Sequence, residues 1–95
     1  MNLNDLHPDP KPVSAKPLFT RGEGTAMSIH IAAGEVLKEH VSKVPAVLVC
    51  LDGNAVYSET DGADTALSAG VYIHIAPDVK HAVTARTDTR LLLIK

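Results

Sequence analysis

Short apolar runs separated by turn residues follow one another from Leu18 to the end of the chain. Turn signals that recur about every 8 to 12 positions are typical of an all-β sandwich or barrel. No segment keeps a helical period of apolar positions long enough to compete with this interpretation. The pattern predicts strands at residues 26–31, 36–41, 46–51, 55–59, 65–67, 71–75, 81–86 and 91–94.

The run AVLVCL at residues 46–51 is the most continuous apolar stretch and is predicted to be the most buried strand. Asp52, Gly53 and Asn54 follow it, and these residue types tolerate left-handed backbone dihedrals. They are therefore expected to reverse the chain into the strand at residues 55–59.

The first 17 residues differ from the rest, because they hold four of the six prolines. Proline fixes the backbone in an extended, polyproline-like conformation. We expect residues 1–17 to form an extended, proline-rich N-terminal arm and residues 18–95 to form the folded domain. The arm is either a solvated tail or a segment that lies along a neighbouring subunit, anchored by Leu3, Leu6 and Val13.

The composition fits one small β domain. The chain has 95 residues, of which 45% are hydrophobic, and its aromatic residues are Phe19, Tyr57 and Tyr72. A core of small branched side chains suits strands and a narrow barrel interior.

The charges exclude several partners. Nine Lys and Arg residues are scattered among eleven Asp and Glu residues, so there is no basic stripe for nucleic acid. No apolar run approaches the length that spans a bilayer. The first residues lack the basic start and following apolar stretch of a secretory signal, so no such signal is predicted. With Cys50 as the single cysteine, no internal disulfide is expected. A cytoplasmic protein that binds neither membrane nor nucleic acid is predicted.

Two patches hold the glycine and histidine residues with recognisable spacing. The positions concerned are Gly34, His40 and Gly53 in the first patch, and Gly70 and His81 in the second. They resemble the two motifs of the cupin superfamily, G-x5-H-x-H followed by Glu and Gly, and G-x5-P-x-G-x2-H. The resemblance covers about residues 26–95. It implies a compact cupin barrel, that is, a double-stranded β-helix or jelly roll of the small single-domain type.

The resemblance also implies a metal site that is incomplete here. In metal-bearing cupins the motifs supply three histidines and one glutamate to a divalent metal. Here Ser42 and Ala46 stand at two of those places, and Asp78 stands at the glycine place of the second motif. His40 and His81 remain as ligands, fewer than the three protein donors of a typical catalytic site. A weak or absent site for Fe, Mn, Zn or Ni is expected.

Strand alternation suggests which residues accompany the two histidines. If His40 points inward, then Ser42, Ala46, Leu48 and Cys50 share its face, provided that no bulge intervenes. His74 shares a face with Tyr72, and the pattern leaves open which face that is. The candidate ligand-binding residues are His40, Ser42, Leu48, Cys50, His74 and His81, and no catalytic residue is assigned.

The candidate site leaves two arrangements open. If His74 faces the interior, it could converge with His40 and His81 as a third metal ligand. Otherwise His40 and His81 form a buried pair satisfied by backbone groups, water or Ser42.

The other chemically active side chains have simpler interpretations. His30 lies between two isoleucines, so it is expected outside the core or at a subunit interface. His7 is expected to be solvated. Cys50 is expected to be a small core residue rather than a nucleophile.

Three functions follow from these observations. The first is a small-molecule-binding or sensing cupin with a weak or absent metal site. The second is a metal-dependent enzyme of the dioxygenase or isomerase type that uses His40, His81 and His74. The third is a regulatory or structural dimeric module. A homodimer is expected in each case, because the exposed strand edges and the arm favour pairing.

Overall fold

The computed structural model describes residues 1–22, 24–60 and 62–95, and the side chains of all of these except Arg21, Glu39 and His40. The described chain consists of a short 3-10 helix at Leu3–Leu6 followed by strands. These are β1 (Val13–Arg21), β2 (Gly24–Ile31), β3 (Val36–His40), β4 (Ala46–Asp52), β5 (Ala55–Glu59), β6 (Asp64–Leu67), β7 (Tyr72–Ile75), β8 (His81–Ala85) and β9 (Thr89–Ile94). In this part of the chain no helix has the length and hydrophobicity needed to span a membrane. The prediction of an all-β domain is confirmed.

The strands form two antiparallel sheets that pack face to face. Sheet A has five strands in the order β1-β2-β9-β4-β7, and sheet B has four in the order β3-β8-β5-β6. A closed barrel requires every edge strand to find a partner, whereas the described strands leave β1, β7, β3 and β6 at sheet edges. The predicted jelly-roll architecture is present, but its two sheets remain open at these edges instead of forming a closed barrel. Edge strands β6 and β7 have only four residues each, which limits the pairing that closure would need.

The core lies between the sheets and is built by alternation. In β4 the side chains of Ala46, Leu48 and Cys50 are buried, while Val47 and Val49 are half-buried on the other face. The AVLVCL segment is thus buried on one face rather than on both. The other core members are Ile29, Ile31, Ala55, Tyr57, Leu67, Ile75, Val83, Ala85 and Leu91.

A proline-rich arm that ends at residue 17 is not shown by this structure. β1 begins at Val13, continues through Pro17 and pairs with β2 as a hairpin. Pro17 is tolerated because β1 is an edge strand, where a missing backbone N–H need not break a ladder. The register shifts between Pro17 and Phe19, so a bulge at Leu18 accommodates the proline.

The segment before β1 folds back on the outer face of sheet A. Its 3-10 helix is closed by reciprocal hydrogen bonds between Asn2 and Asp5. His7 then contacts two serines, with Nδ1 2.7 Å from Ser14 Oγ and Nε2 3.0 Å from Ser28 Oγ. The expectation of a solvated His7 is wrong, because Ser14 and Ser28 offer hydroxyl partners to both ring nitrogens.

Candidate functional site

A bulge in β3 sets the register at the first predicted ligand. Leu37 stands opposite Val83, but His40 rather than Glu39 stands opposite His81. The extra residue reverses the alternation that an unbroken strand would keep. The two motif histidines therefore occupy directly paired backbone positions on neighbouring strands of sheet B.

The His81 side chain is buried, with 3% of its surface exposed. Its Nδ1 lies 3.0 Å from the carbonyl oxygen of Val79. A carbonyl can only accept, so Nδ1 carries the proton and Nε2 bears the lone pair in the neutral ring. The hydrogen bond thus fixes the orientation and the tautomer of His81.

Tyr57 and Glu59 extend the site on β5, and the sequence interpretation missed both. The Tyr57 ring stacks on His81 with ring centroids 5.7 Å apart. Its hydroxyl donates a 2.8 Å hydrogen bond to Glu59 Oε2. Burial raises the pKa of Tyr57, and the neighbouring Glu59 carboxylate raises this pKa further through the hydrogen bond and its charge. Tyr57 is therefore a fixed donor to Glu59.

Register places Glu59 beside the motif histidines. Glu59 stands opposite His81 on one side, and His40 stands opposite His81 on the other. Three chemically active residues thus form one row across β3, β8 and β5. Tyr57 and Glu59 are two residues apart on one strand and therefore share a face, but this spacing does not show that β8 lies beside them.

An open cleft of about 410 Å³ lies beside Glu59. Its walls are formed by Glu59, Thr60, Gly62, Asp78, Val79 and Lys80. The backbone N–H of Thr60 donates to the carbonyl of Lys80 at 3.1 Å, which joins the two loops that form the walls. A Cβ built on Gly62 would lie 3.0 Å from Glu59 Oε1, so a side chain there would crowd the carboxylate. Glu59 connects this cleft to the buried Tyr57 and His81.

Ser42 supports the cleft through its backbone, and its hydroxyl takes part in a local turn. Its Oγ donates to the carbonyl of Val44 at 2.9 Å, within a local turn. Its carbonyl accepts a 2.8 Å hydrogen bond from the N–H of Asp78. Asp78 has a positive φ of 65° at the glycine place of the second motif.

The remaining candidates lie apart from the cleft. Leu48 and Cys50 are 2% and 1% exposed within the core, so a ligand would reach them only by opening the two sheets. Burial raises the pKa of Cys50, in line with the expected core role. His74 is exposed beside Tyr72, with ring centroids 5.6 Å apart. The question of its face is thereby answered, and His74 does not converge with His81.

The described side chains at the cleft include few metal donors. Among the described side chains, no three His, Cys, Asp or Glu groups lie close enough together to hold a metal ion. His81 and Glu59 are donors in the described row, and one Glu59 oxygen already accepts from Tyr57. The His40 side chain lies outside the described residues. The described side chains therefore supply two of the three or more protein donors that a divalent metal normally has.

A family model for the Cupin domain matches residues 27–95. The chain belongs to the cupin family. The match includes His40, Gly53, Gly70 and His81, so both cupin patches of the sequence lie within it. No curated protein sequence is significantly similar to this cupin.

Solved structures share the cupin fold at low sequence identity. A cupin-2 domain containing protein from Shewanella frigidimarina matches with a TM-score of 0.81 and 16% identity, over 100% of this chain and 92% of that chain. An uncharacterised protein with a double-stranded β-helix domain from Klebsiella pneumoniae gives a TM-score of 0.86 and 15% identity, over 99% and 85%. A cupin superfamily protein from Desulfitobacterium hafniense gives 0.81 and 19%, over 87% and 75%. At these identities the likeness concerns the fold alone.

Proposed function

We propose that this cupin is a small-molecule-binding or sensing domain whose ligand occupies the cleft at Glu59. Two contacts carry the proposal. The Tyr57 hydroxyl donates a hydrogen bond to the Glu59 carboxylate, and the Tyr57 ring stacks on His81. A ligand that binds Glu59 changes the hydrogen bond of a buried tyrosine. Binding at the surface is thereby transmitted to the core.

The cleft chemistry favours a small polar ligand with hydrogen-bond donors. Glu59 supplies carboxylate acceptors, Lys80 supplies a cation, and Thr60 supplies a hydroxyl at the wall. The volume of about 410 Å³ is within the range of about 300–1,000 Å³ that small-molecule sites occupy. A compact polyol or an amino-bearing metabolite matches these groups better than an apolar ligand.

A metal-dependent enzyme is the second candidate, and the His40–His81–Glu59 row favours it. Two imidazoles and one carboxylate are a donor set used for non-haem metals. The row is a backbone arrangement, and the described side chains alone supply two donors. Metal-independent binding is therefore the preferred proposal.

Thermal unfolding in the presence of a panel of polyols, amino compounds and organic acids tests the proposal. We expect a member of the panel to raise the melting temperature of the wild type, and Glu59→Gln to abolish this shift. Asp64→Asn is the matched control, because Asp64 is an exposed carboxylate on β6. A shift that survives Glu59→Gln would contradict binding in this cleft. A panel of Zn²⁺, Mn²⁺, Ni²⁺ and Fe²⁺, with His81→Ala as the variant, tests the second candidate.

A further inference from the structure

The outer face of the β1–β2 hairpin has a square of four polar side chains, and His7 lies over it. Strand register pairs Ser14 with His30 and Lys16 with Ser28, and alternation directs all four away from the core. The two serines lie on one diagonal of the square, and Lys16 and His30 lie on the other. The His7 ring spans the serine diagonal, with Nδ1 2.7 Å from Ser14 Oγ and Nε2 3.0 Å from Ser28 Oγ.

The hydrogen bonds of the two serines are incomplete within the described part of the chain. Ser14 and Ser28 are 6% and 4% exposed, and among the described residues His7 is the hydrogen-bond partner of both hydroxyls. A neutral imidazole has one N–H and one lone pair, so His7 donates to one serine and accepts from the other. The serine that accepts from His7 keeps an O–H hydrogen for which no described protein group is the acceptor. Because buried donors normally have a partner, this hydroxyl is available to an acceptor from outside the chain.

The charges near the His7 ring determine which kind of ligand this position accepts. The His30 ring centroid is 6.1 Å from that of His7. Burial lowers the pKa of His7, and the positive charges of His30, Lys16 and Arg90 lower it further. Arg90 stands opposite His30 on β9, and Asp52 offsets its charge at 3.9 Å. A cation would be repelled by this environment, whereas an anion would relieve the repulsion.

A surface cleft of about 380 Å³ gives access to the group of side chains around His7. Its charged or polar walls are Asp5, His7, Asp9, Lys11, Ser14 and Lys16. The two lysines balance the two aspartates, and Asp5 Oδ2 already accepts a hydrogen bond from the Asn2 N–H. The protonation of His7 and His30 therefore determines the net charge, which becomes positive as these imidazoles gain protons.

We infer that these side chains form a histidine–serine site, consisting of His7, Ser14, Lys16, Ser28 and His30, that binds a tetrahedral oxyanion of the phosphate class. In protonated His7 both ring nitrogens are donors, so both serines accept from the ring. Both serine O–H groups are then free to donate to the anion. Lys16 and His30 supply positive charge from the other diagonal, and hydrogen bonds to an ionised acceptor are stronger than neutral ones.

Oxyanion binding and the protonation of His7 support each other. Without an anion, the docked N-terminal segment disfavours the charged form of His7, as the lowered pKa indicates. A bound oxyanion supplies the opposite charge, so the segment stays docked with its proton. The factor by which protonation strengthens anion binding equals the factor by which the anion strengthens protonation. The oxyanion therefore holds the segment before β1 on the sheet under acidic conditions.

NMR titration of the full chain with sodium sulfate tests the inference, because the charge of sulfate is constant over the range in which histidine titrates. Sodium chloride keeps the ionic strength equal throughout, so that general screening is the same in every sample. We expect sulfate to shift the backbone amides of Ser14 and Ser28 and to bind at least about five-fold more tightly at about pH 5.5 than at about pH 7.5. The NMR pKa of His7 should rise when sulfate is added.

Two further probes distinguish the sources of a phosphate group. Inorganic phosphate and glycerol phosphate are titrated in the same way at about pH 5.5. Tighter binding of inorganic phosphate would identify the free ion as the ligand, and tighter binding of glycerol phosphate would identify a phosphate monoester. Either result supports an oxyanion site.

Lys16→Gln removes a charge from the site and should weaken sulfate binding by about 2- to 5-fold, as expected for an exposed ion pair. Lys43→Gln is its matched control, because Lys43 is exposed between β3 and β4 and is not part of the cleft walls. His7→Gln should bind sulfate with the same affinity at both pH values. Sulfate shifts no larger than those of chloride, or a pH dependence that survives His7→Gln, would overturn the inference. Glu59→Gln should leave sulfate binding unchanged, so the result is independent of the proposed ligand cleft.

Discussion

Asp78 has an unusual backbone for a residue with a side chain. Its φ of 65° lies in the left-handed region, where a Cβ normally costs about 1–2 kcal/mol and aspartate is among the better tolerated residues. The conformation turns the chain from β7 towards β8 and directs the Asp78 N–H to the Ser42 carbonyl. The cleft wall therefore depends on a strained position.

Replacing Asp78 by glycine is expected to stabilise the fold. Relief of the left-handed strain outweighs the extra chain entropy of glycine, so the free energy of unfolding should rise by about 0.5 kcal/mol. Asp78→Val should lower it by about 1–2 kcal/mol, and Asp78→Asn should be close to neutral because asparagine tolerates this region. Urea unfolding of the three variants measures the order, and a valine variant as stable as the glycine variant would contradict it.

Tyr57→Phe isolates the hydrogen bond that joins the cleft to the core. The ring and its stacking on His81 stay, while the hydroxyl donor to Glu59 is lost. We expect a loss of about 1 kcal/mol in the free energy of unfolding, because the half-buried carboxylate can take water in its place. Tyr57→Ala should cost about 3–5 kcal/mol through the cavity that it leaves. Equal losses for the two variants in denaturant unfolding would show that the hydroxyl is the dominant contribution.

At the residue level the sequence predicted part of the site. The glycine and histidine spacing located His81 and the turn at Asp78, because both occupy family positions. Glu59 escaped notice because nothing in a single strand shows which strands will become its neighbours. Cys50 was predicted correctly as a core residue from its apolar surroundings. The face of His74 could not be decided, since β7 has only four residues over which to establish an alternation.

At the scale of elements, the β4–β5 turn has no room for a side chain at Gly53. Gly53 has a φ of 100°, and a Cβ there would collide with the carbonyl oxygen of Asp88 and lie 2.8 Å from the Cα of Thr89. The contact holds the β4–β5 turn against the start of β9. Both neighbours are backbone atoms, which cannot rotate away.

Gly53→Ala is therefore expected to be severely destabilising. Overpacking and a disfavoured dihedral together should cost about 3 kcal/mol or more. Gly34→Ala is the matched control, because Gly34 also has a positive φ of 81°, but apart from its chain neighbours no described residue comes within 4 Å of the place that a Cβ would take. This control should cost about 1 kcal/mol. Thermal unfolding compares the two, and similar losses would mean that the contact with Asp88 is not limiting.

At the element level the apolar runs predicted β2 to β9 to within a few residues. β1 was missed because Pro17 and the three prolines before the strand indicate an unpaired arm when the chain is considered locally. Pro17 is acceptable because β1 is an edge strand with a bulge at Leu18. Both features depend on how the strands pair, so the local sequence does not show them. The bulge in β3 was missed for the same reason, because only the pairing with β8 reveals the extra residue.

For the whole molecule, His7 couples the N-terminal segment to the sheet. Burial lowers the pKa of His7 below its ordinary value, and the positive charges of His30, Lys16 and Arg90 lower it further. Asp5, Asp9 and Lys11 line the same surface cleft as His7. A docked His7 consequently holds a proton less readily than a free one.

Because the pKa of His7 is lower when the N-terminal segment is docked, acid is expected to weaken docking. Since protonation favours the undocked segment, docking is fully supported above the ordinary histidine pKa of about 6.5. That support is lost as the pH falls from there through the lower pKa of the docked state. We expect NMR relaxation to show residues 1–12 gaining mobility between about pH 7 and pH 5.

His7→Gln is the control for this prediction, because glutamine can contact both serines but does not titrate. Its segment should keep the same mobility over the pH range. The variant and the wild type differ only at residue 7, so every other contribution cancels in the comparison. An identical pH response in the two proteins would assign the effect to groups other than His7.

The position of β4 has a consequence for solubility. An uncharged apolar hexapeptide such as AVLVCL has the composition of segments that assemble into amyloid. Here β9 and β7 occupy both of its backbone edges, and the β1 edge of the same sheet is interrupted by Pro17 and a bulge. The β7 side is protected by only four paired residues. Partial detachment of this short strand, well before global unfolding, would expose the segment, so we expect heat-induced aggregation to begin at β7.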